Sequence, residues 1–226
     1  DDGPSVTVTA GSDAAVLLTT QDAETDGVPT DNDVSTANFA GVFSNTPVYG
    51  ADGAGTTVMS YALSLNVVEG SDSNLDSNGV QINLFQLADG TIVGATGNVE
   101  PATATAANVV FSIAVNSVTG EVTLTQRQEI DHALPGSSSS YDTQLATLAN
   151  GLVNLTATAL TTDGDGDTAT NSATIDLGGN VRFADDGPSV TVTAGSDAAV
   201  LLTTQDAETD GVPTDNDVST ANFAGV

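Results

Sequence analysis

Short stretches of alternating apolar and polar residues recur along the chain, and each predicts a β-strand with one buried face. Val6 and Val8 alternate with hydroxyl side chains, and Val122 and Leu124 do the same. This period of two matches the alternation of side chains across a strand. Together with further runs rich in β-branched residues, the pattern predicts strands at residues 5–9, 14–20, 57–68, 80–87, 91–95, 109–116, 121–126, 152–161 and 168–177.

Turn-forming residues separate these strands at short intervals. Asp89-Gly90 and Val118-Thr119-Gly120 each lie between two predicted strands and indicate hairpins. A helical turn is favoured only at residues 143–149, and the acidic, proline-containing residues 22–38 indicate a long loop. We therefore predict an all-β fold, an antiparallel immunoglobulin-like or cadherin-like β-sandwich, rather than an α/β fold.

The chain contains an internal repeat. Residues 1–42 recur letter for letter as residues 185–226, so the sequence repeats with a period of 184 residues. A repeat this faithful indicates part of a longer tandem array, in which each unit contacts mainly its neighbours. We expect residues 1–184 to form one unit with an entering linker at residues 1–4, and residues 185–226 to begin the next unit. A permuted domain of about residues 43–226 fits the same period.

The charge of the chain is strongly negative. It has 30 acidic residues and two basic ones, which gives a formal net charge of −28. Nucleic acid is excluded as a partner because contacts to phosphate need lysine and arginine, and insertion into a membrane is not expected. Cysteine is absent, so disulfides cannot stabilise the fold. Clustered carboxylates repel one another unless cations screen them, and the composition therefore favours bound metal ions.

Residues 163–167 read Asp-Gly-Asp-Gly-Asp between two predicted strands, so they form the tip of a hairpin. Ca²⁺ takes six to eight oxygen ligands from flexible loops, and glycine lets such a loop wrap around an ion. The pattern is not an EF-hand loop, because Thr168 and Thr174 occupy the positions where that loop needs Gly and Glu. The spacing predicts a Ca²⁺ site of another kind.

Carboxylates of the linkers between units are expected to join this hairpin. In an immunoglobulin-like sandwich the last hairpin lies at the end where the chain enters, which places residues 163–167 beside residues 1–4. The same linker recurs at residues 185–188, and further acidic residues follow the predicted strand at 14–20. The candidate Ca²⁺ ligands are therefore Asp1, Asp2, Asp22, Glu24, Asp163, Asp165, Asp167, Asp185 and Asp186.

Five segments, taken in their order along the chain, resemble a known family. They are Asp1-Asp2-Gly3-Pro4, residues 49–55 (YGADGAG), residues 89–94 (DGTIVG), Ile130-Asp131-His132 and residues 163–167. In this order they resemble the large type I secretion repeats that serve as extender modules of RTX adhesins of Gram-negative bacteria. The resemblance implies a Ca²⁺-bound β-sandwich in a giant extracellular protein, anchored at the outer membrane and used in attachment and biofilm formation.

The faithful repeat favours a structural spacer, a monomeric module whose partners are the neighbouring identical repeats of the same chain. The alternative is a Ca²⁺-dependent sugar-binding adhesion module, which would need aromatic residues near the ion, whereas Tyr49, Tyr61 and Tyr141 are scattered. An enzyme is not expected. His132 is the only histidine and lies in an Asp-His-Ala-Leu-Pro turn, so a structural polar role explains it better.

Overall fold

Fourteen β-strands and one short 3-10 helix form the fold in the residues that the computed structural model describes, namely 3–22, 25, 32–132, 145–185, 192–206 and 216–225. The strands are β1 (Ser5–Ala10), β2 (Leu18–Gln21), β3 (Asp33–Asn38), β4 (Phe43–Val48), β5 (Thr56–Leu65), β6 (Ser71–Ser77), β7 (Val80–Gln86), β8 (Ile92–Thr96), β9 (Val109–Val115), β10 (Glu121–Gln126), β11 (Leu145–Thr147), β12 (Val153–Thr162), β13 (Thr168–Asp176) and β14 (Val181–Ala184). The 3-10 helix, Ala40–Val42, lies between β3 and β4.

Hydrogen bonds join these strands into four sheets. The largest has six strands in the order β3-β10-β9-β8-β7-β6. Two sheets have three strands each, β13-β12-β5 and β11-β14-β2, and β1 pairs with β4. The pairs are antiparallel, with the exception of β14 and β2, which run parallel. The predicted all-β class with antiparallel sheets is therefore confirmed.

The main hydrophobic core lies between the six-stranded sheet and the strands that face it. The six-stranded sheet contributes Ile82, Phe111 and Leu124, β12 contributes Leu155, and β14 contributes Phe183, all fully buried. The rings of Phe111 and Phe183 pack with their centroids 5.1 Å apart. Complete burial of such a side chain contributes about 1.5–3 kcal/mol. The two layers are thus held together by apolar side chains of alternate strand residues.

Both predicted hairpins are present. β7 and β8 are joined through Gly90, whose φ is +87°, and β9 and β10 through Gly120, whose φ is +70°. Glycine adopts this left-handed conformation without the steric cost that other residues incur. The two glycines therefore explain why the sequence predicts these short turns correctly.

Several short strands depart from the sequence-based expectation. β3 lies within the segment predicted as a loop at residues 22–38, and the alternation does not predict β4, β6, β11 or β14. The predicted helix at residues 143–149 is wrong, because Leu145–Thr147 is β11 and pairs with β14. The predicted strand at 14–20 begins only at Leu18. Main-chain pairing with a neighbouring strand forms these elements, and a regular local alternation is not needed for such pairing.

Contacts divide the chain into two compact units, Asp1–Pro188 and Ser189–Val226. The fourteen strands all lie in the first unit. In the second unit, none of residues 192–206 and 216–225 belongs to a strand. The repeat boundary after residue 184 and the permuted domain of residues 43–226 stay predictions. Within the described part of the chain, no helix has the length and apolar character needed to cross a membrane.

Candidate metal-binding site

A tight hairpin carries three aspartates at its tip. β12 and β13 pair along their length, so residues 163–167 form the turn between them, as the sequence predicts. The N–H of Asp163 donates to the carbonyl of Asp167 at 3.0 Å, which closes the turn. Gly166 has a φ of +103°, a conformation that favours glycine. The alternation of aspartate with glycine is thus explained by the geometry of the turn.

The side chain of Asp163 is buried within this turn and is only 5% exposed. Its Oδ1 accepts the backbone N–H groups of Gly166 at 3.1 Å and of Asp167 at 2.8 Å. Its Oδ2 is also buried, and none of the described residues donates a hydrogen bond to it. An unsatisfied buried polar atom costs about 1–3 kcal/mol, and more when it carries charge. A bound cation would supply the partner that this oxygen lacks.

A second loop, residues 49–55, packs its backbone against the hairpin. A Cβ atom on Gly55 would overlap the carbonyl group of Thr162, and a Cβ atom on Gly164 would overlap the carbonyl oxygen of Asp52. Only glycine fits at either position without moving the backbone. The two glycines therefore permit the close approach of two loops that are far apart in the sequence.

This approach brings the carboxylates of Asp52, Asp163 and Asp165 into one cluster, the hairpin group. One oxygen from each residue lies within 4.8 Å of the other two. The pKa of Asp165 is raised, mainly because its protonated form would donate a hydrogen bond to the Asp163 carboxylate, and further by burial and by the negative charges of Asp163 and Asp52. Negative charges this close repel one another, and a bound cation would offset them.

The donor set of the hairpin group fits Ca²⁺. Two oxygens bound to one Ca²⁺ at about 2.4 Å lie at most about 4.8 Å apart, which agrees with the separations in the group. All three side-chain donors are carboxylates, the ligands that hard cations prefer. Asp52 is not among the ligands that the sequence predicts, and its signal is only the glycine-rich run around it.

Asp167 lies in the same turn but is not part of the hairpin group. Its Oδ2 lies beside the entering segment, because a Cβ atom on Gly3 would be 3.9 Å from it. The structure therefore places Gly3 next to the hairpin. Asp1 and Asp2, the ligands predicted from that segment, lie outside the described residues.

A second cluster, the histidine group, consists of Asp22, His132 and Asp185. β2 and β14 run parallel up to the pair Gln21↔Ala184, so Asp22 and Asp185 follow at neighbouring positions. One ligand atom from each of the three residues lies within 4.8 Å of the others, and His132 Nε2 is 3.3 Å from Asp22 Oδ2. An imidazole nitrogen suits Zn²⁺ and other transition metals better than Ca²⁺.

Asp22 is fixed within the histidine group by hydrogen bonds to other parts of the sandwich. It is 3% exposed, and its carboxylate accepts the side-chain amide of Gln126 and the backbone N–H of Ile130 at 3.3 Å. These contacts tie the end of β2 to the end of β10. A carboxylate held in this way has a structural role whether or not a metal binds.

Two of the predicted Ca²⁺ ligands, Asp22 and Asp185, belong to the histidine group and not to the hairpin group. The structure brings Asp22 and Asp185 together with each other and not with Asp163 and Asp165, because the parallel pairing of β2 with β14 sets their positions. His132 is the member that the sequence did not suggest as a ligand. The predicted ligands Glu24 and Asp186 lie outside the described residues.

A family model for a domain of unknown function, DUF5801, matches residues 12–178. The match covers well over half of the chain. The chain belongs to the DUF5801 family. The DUF5801 match includes the whole hairpin group and all of the histidine group except Asp185. Comparison with curated proteins and with solved structures gives no match.

Proposed function

We propose that this DUF5801 chain is a Ca²⁺-stabilised structural extender of a large bacterial surface adhesin. The observation that carries the proposal is the buried Oδ2 of Asp163, which has no donor among the described residues and lies beside the carboxylates of Asp52 and Asp165. A divalent cation would satisfy this oxygen and offset the local charge. The chain itself has two basic residues against 30 acidic ones, so an ion from solution is the available source of positive charge.

Ca²⁺ at the hairpin group would link two segments that are distant in the sequence, the loop at residues 49–55 and the turn at residues 163–167. Since Gly3 lies beside Asp167, the entering segment would be stiffened at the same place. Extracellular Ca²⁺ modules bind at about 10⁻⁴–10⁻³ M. The module would therefore bind Ca²⁺ outside the cell and stay free of it in the low Ca²⁺ of the cytoplasm. This suits a chain that is secreted before it folds.

The repeat supports a spacer rather than a specialised tip. An identical segment follows the sandwich after one period of 184 residues, and tandem units add length by contacting their neighbours. The resemblance to extender modules of RTX adhesins supplies the setting. We propose an extracellular array, exported by type I secretion and anchored at the outer membrane, that projects distal ligand-binding domains for attachment and biofilm formation.

Thermal unfolding of the full chain with and without Ca²⁺ tests the proposal. At 100 times the dissociation constant, Ca²⁺ should stabilise the folded state by about 2.7 kcal/mol, which raises the Tm of a unit of this size by about 5–10 °C. Asp163→Asn should abolish most of this rise. Glu100→Gln, which changes the net charge equally at an exposed residue, should keep it. An equal response of both variants, or an unchanged Tm, would contradict a specific site.

The raised pKa of Asp165 predicts how Ca²⁺ binding depends on pH. A proton on Asp165 must leave when Ca²⁺ binds, so the affinity should fall as pH decreases towards the raised pKa. In the metal-free protein the sign is opposite: the folded state holds this proton more tightly than the unfolded chain, so stability increases as pH falls through the same range. Calorimetric titration over a pH series measures the first effect, and Asp165→Asn should flatten it.

A Ca²⁺-dependent sugar-binding module is the second candidate, favoured by one aromatic residue near the hairpin. The hydroxyl of Tyr49 is 3.1 Å from Thr57 Oγ1, which in turn is 2.9 Å from Thr161 Oγ1. Tyr49 is therefore close to the start of the hairpin turn. Reproducible binding to one class of glycan on an array, lost on chelation and in Tyr49→Ala, would favour this function over a spacer.

A further inference from the structure

The histidine group lies where three segments of the sandwich meet. Asp22 follows β2, Asp185 follows β14, and His132 lies beyond the end of β10. The side chains of Asp22 and His132 are only 3% and 6% exposed, and Asp185 is half-buried. The three possible ligands are therefore shielded from solvent, unlike the carboxylates of an ordinary acidic surface loop.

Positive charge is scarce around the buried carboxylate of Asp22. A buried carboxylate is costly unless charge or hydrogen bonds compensate for its lost hydration. The chain has two arginines and no lysine, and both arginines donate elsewhere, Arg127 to the carbonyl of Ala104 and Arg182 to the carbonyl of Gly179. The positive charge available beside Asp22 is therefore that of the neighbouring imidazole, when protonated, or that of a bound cation.

The spacing of the imidazole and the carboxylate fits a metal ion between them. His132 Nε2 and Asp22 Oδ2 are 3.3 Å apart. A charge-assisted N–H···O hydrogen bond measures about 2.7–2.9 Å, whereas two ligands of one tetrahedral Zn²⁺, each bound at about 2.0–2.2 Å, lie about 3.3–3.5 Å apart. The two atoms are therefore spaced as ligands of the same ion.

Hydrogen bonds from the protein orient Asp22 for this role. Its Oδ1 accepts the side-chain amide of Gln126, and the backbone N–H of Ile130 lies 3.3 Å from both carboxylate oxygens. Carboxylates that bind metals are usually fixed by such outer partners. The contacts leave Oδ2 directed towards His132.

Two further polar atoms beside Asp22 point to a missing ligand. Gln126 Oε1 and Thr20 Oγ1 are buried, and none of the described residues is a hydrogen-bond partner of either atom. Gln126 contacts Asp22 directly, and Thr20 is the buried residue that precedes Asp22 on the same face of the chain. A Zn²⁺ ion with three protein ligands keeps a fourth position for water. Such a water would supply the donors that these two atoms lack.

We infer that Asp22, His132 and Asp185 form a Zn²⁺ site, separate from the hairpin group proposed to bind Ca²⁺. Ca²⁺ takes oxygen ligands, whereas an imidazole nitrogen together with carboxylates suits Zn²⁺. The bound ion links the end of β2 to the end of β14 and to the segment after β10. It thus fastens three parts of the sandwich that are distant in the sequence.

Nitrogen NMR of the unmodified full chain tests the site directly, because His132 is the only histidine. Zn²⁺ is titrated at neutral pH in excess Ca²⁺ and again without Ca²⁺, which separates this site from the hairpin group. One equivalent of Zn²⁺ should shift the ring nitrogens to the signals of a neutral, metal-bound imidazole in both titrations. Unchanged signals, a ring that stays protonated in an ion pair with the carboxylates, or the same shift with Ca²⁺ alone would overturn the inference.

Calorimetric titration of Zn²⁺ into substituted chains identifies the ligands. His132→Gln and Asp185→Asn should each lower the Zn²⁺ affinity at least about tenfold, because even the loss of a group that only orients a ligand costs about 10–100-fold. Glu100→Gln changes the net charge as Asp185→Asn does, at an exposed residue, and should keep the affinity. Circular dichroism checks that each variant is folded, and the half-buried Asp185 is the ligand whose substitution disturbs the core least. Unchanged affinity in folded Asp185→Asn, or an equal loss in Glu100→Gln, would contradict the site.

Discussion

The two identical copies of the 1–42 sequence have different structures within one chain. The first copy contributes β1, β2 and β3, whereas none of the described residues of the second copy is in a strand. Phe39 is fully buried, and its equivalent Phe223 is 46% exposed. Because the sequences are the same, local strand preference cannot account for the difference. The partner strands in residues 43–184 decide whether these residues become strands.

Short-range contacts, by contrast, are the same in both copies. The N–H of Val16 donates to the carbonyl of Asp13 at 2.8 Å, and the N–H of Val200 donates to that of Asp197 at 2.8 Å. These turns form without neighbouring strands, because both partners of each bond lie within a few residues. The segment can therefore form these turns alone, whereas it forms strands only inside the sandwich.

The largest expected difference between the copies is at the buried phenylalanine. Phe39→Ala should destabilise the sandwich by about 3–5 kcal/mol, because it leaves a cavity in the core. Phe223→Ala should change the free energy of unfolding by less than about 1 kcal/mol. Denaturant unfolding of the two variants measures both values. Equal losses would mean that the second copy is also packed in solution.

A smaller difference is expected at the equivalent aspartates Asp22 and Asp206. Asp22→Ala removes the acceptor for Gln126 and Ile130 and should cost about 2–3 kcal/mol, because buried donors are left unsatisfied. Asp206 is exposed, so Asp206→Ala should change stability by about 0.5 kcal/mol or less. Thermal unfolding in a chelator keeps any metal contribution out of the comparison. Similar losses for both variants would argue against a special role for Asp22.

The smallest effect on stability is expected at the equivalent serines Ser35 and Ser219, and it should be the same in both copies. Ser35→Ala and Ser219→Ala each remove the acceptor of one backbone N–H, a loss of about 0.5–1.5 kcal/mol. Hydrogen exchange should therefore accelerate at Thr19 and at Thr203, by up to about tenfold. If only Thr19 responds, the hydrogen bond from Thr203 to Ser219 in the second copy is not populated in solution.

Strands with regular alternation and turns that require a glycine could be predicted from the sequence. The β12–β13 hairpin and its acidic tip are examples, as are the turns at Gly90 and Gly120. The helix predicted at residues 143–149 failed because a short strand there pairs with β14. Such a strand depends on a partner strand from elsewhere in the chain, and no local sequence pattern indicates that pairing.

The sequence by itself determined the all-β class, the acidic turn at residues 163–167 and the short-range hydrogen bonds that both copies share. Tertiary structure alone decided that Asp52 joins Asp163 and Asp165, that Asp22 lies with His132 and Asp185, and that one copy of the repeat forms strands. The physical reason is distance along the chain. Contacts between remote segments incur a loop-closure and ordering cost that only burial and strand pairing offset, whereas a turn needs nothing beyond its own residues.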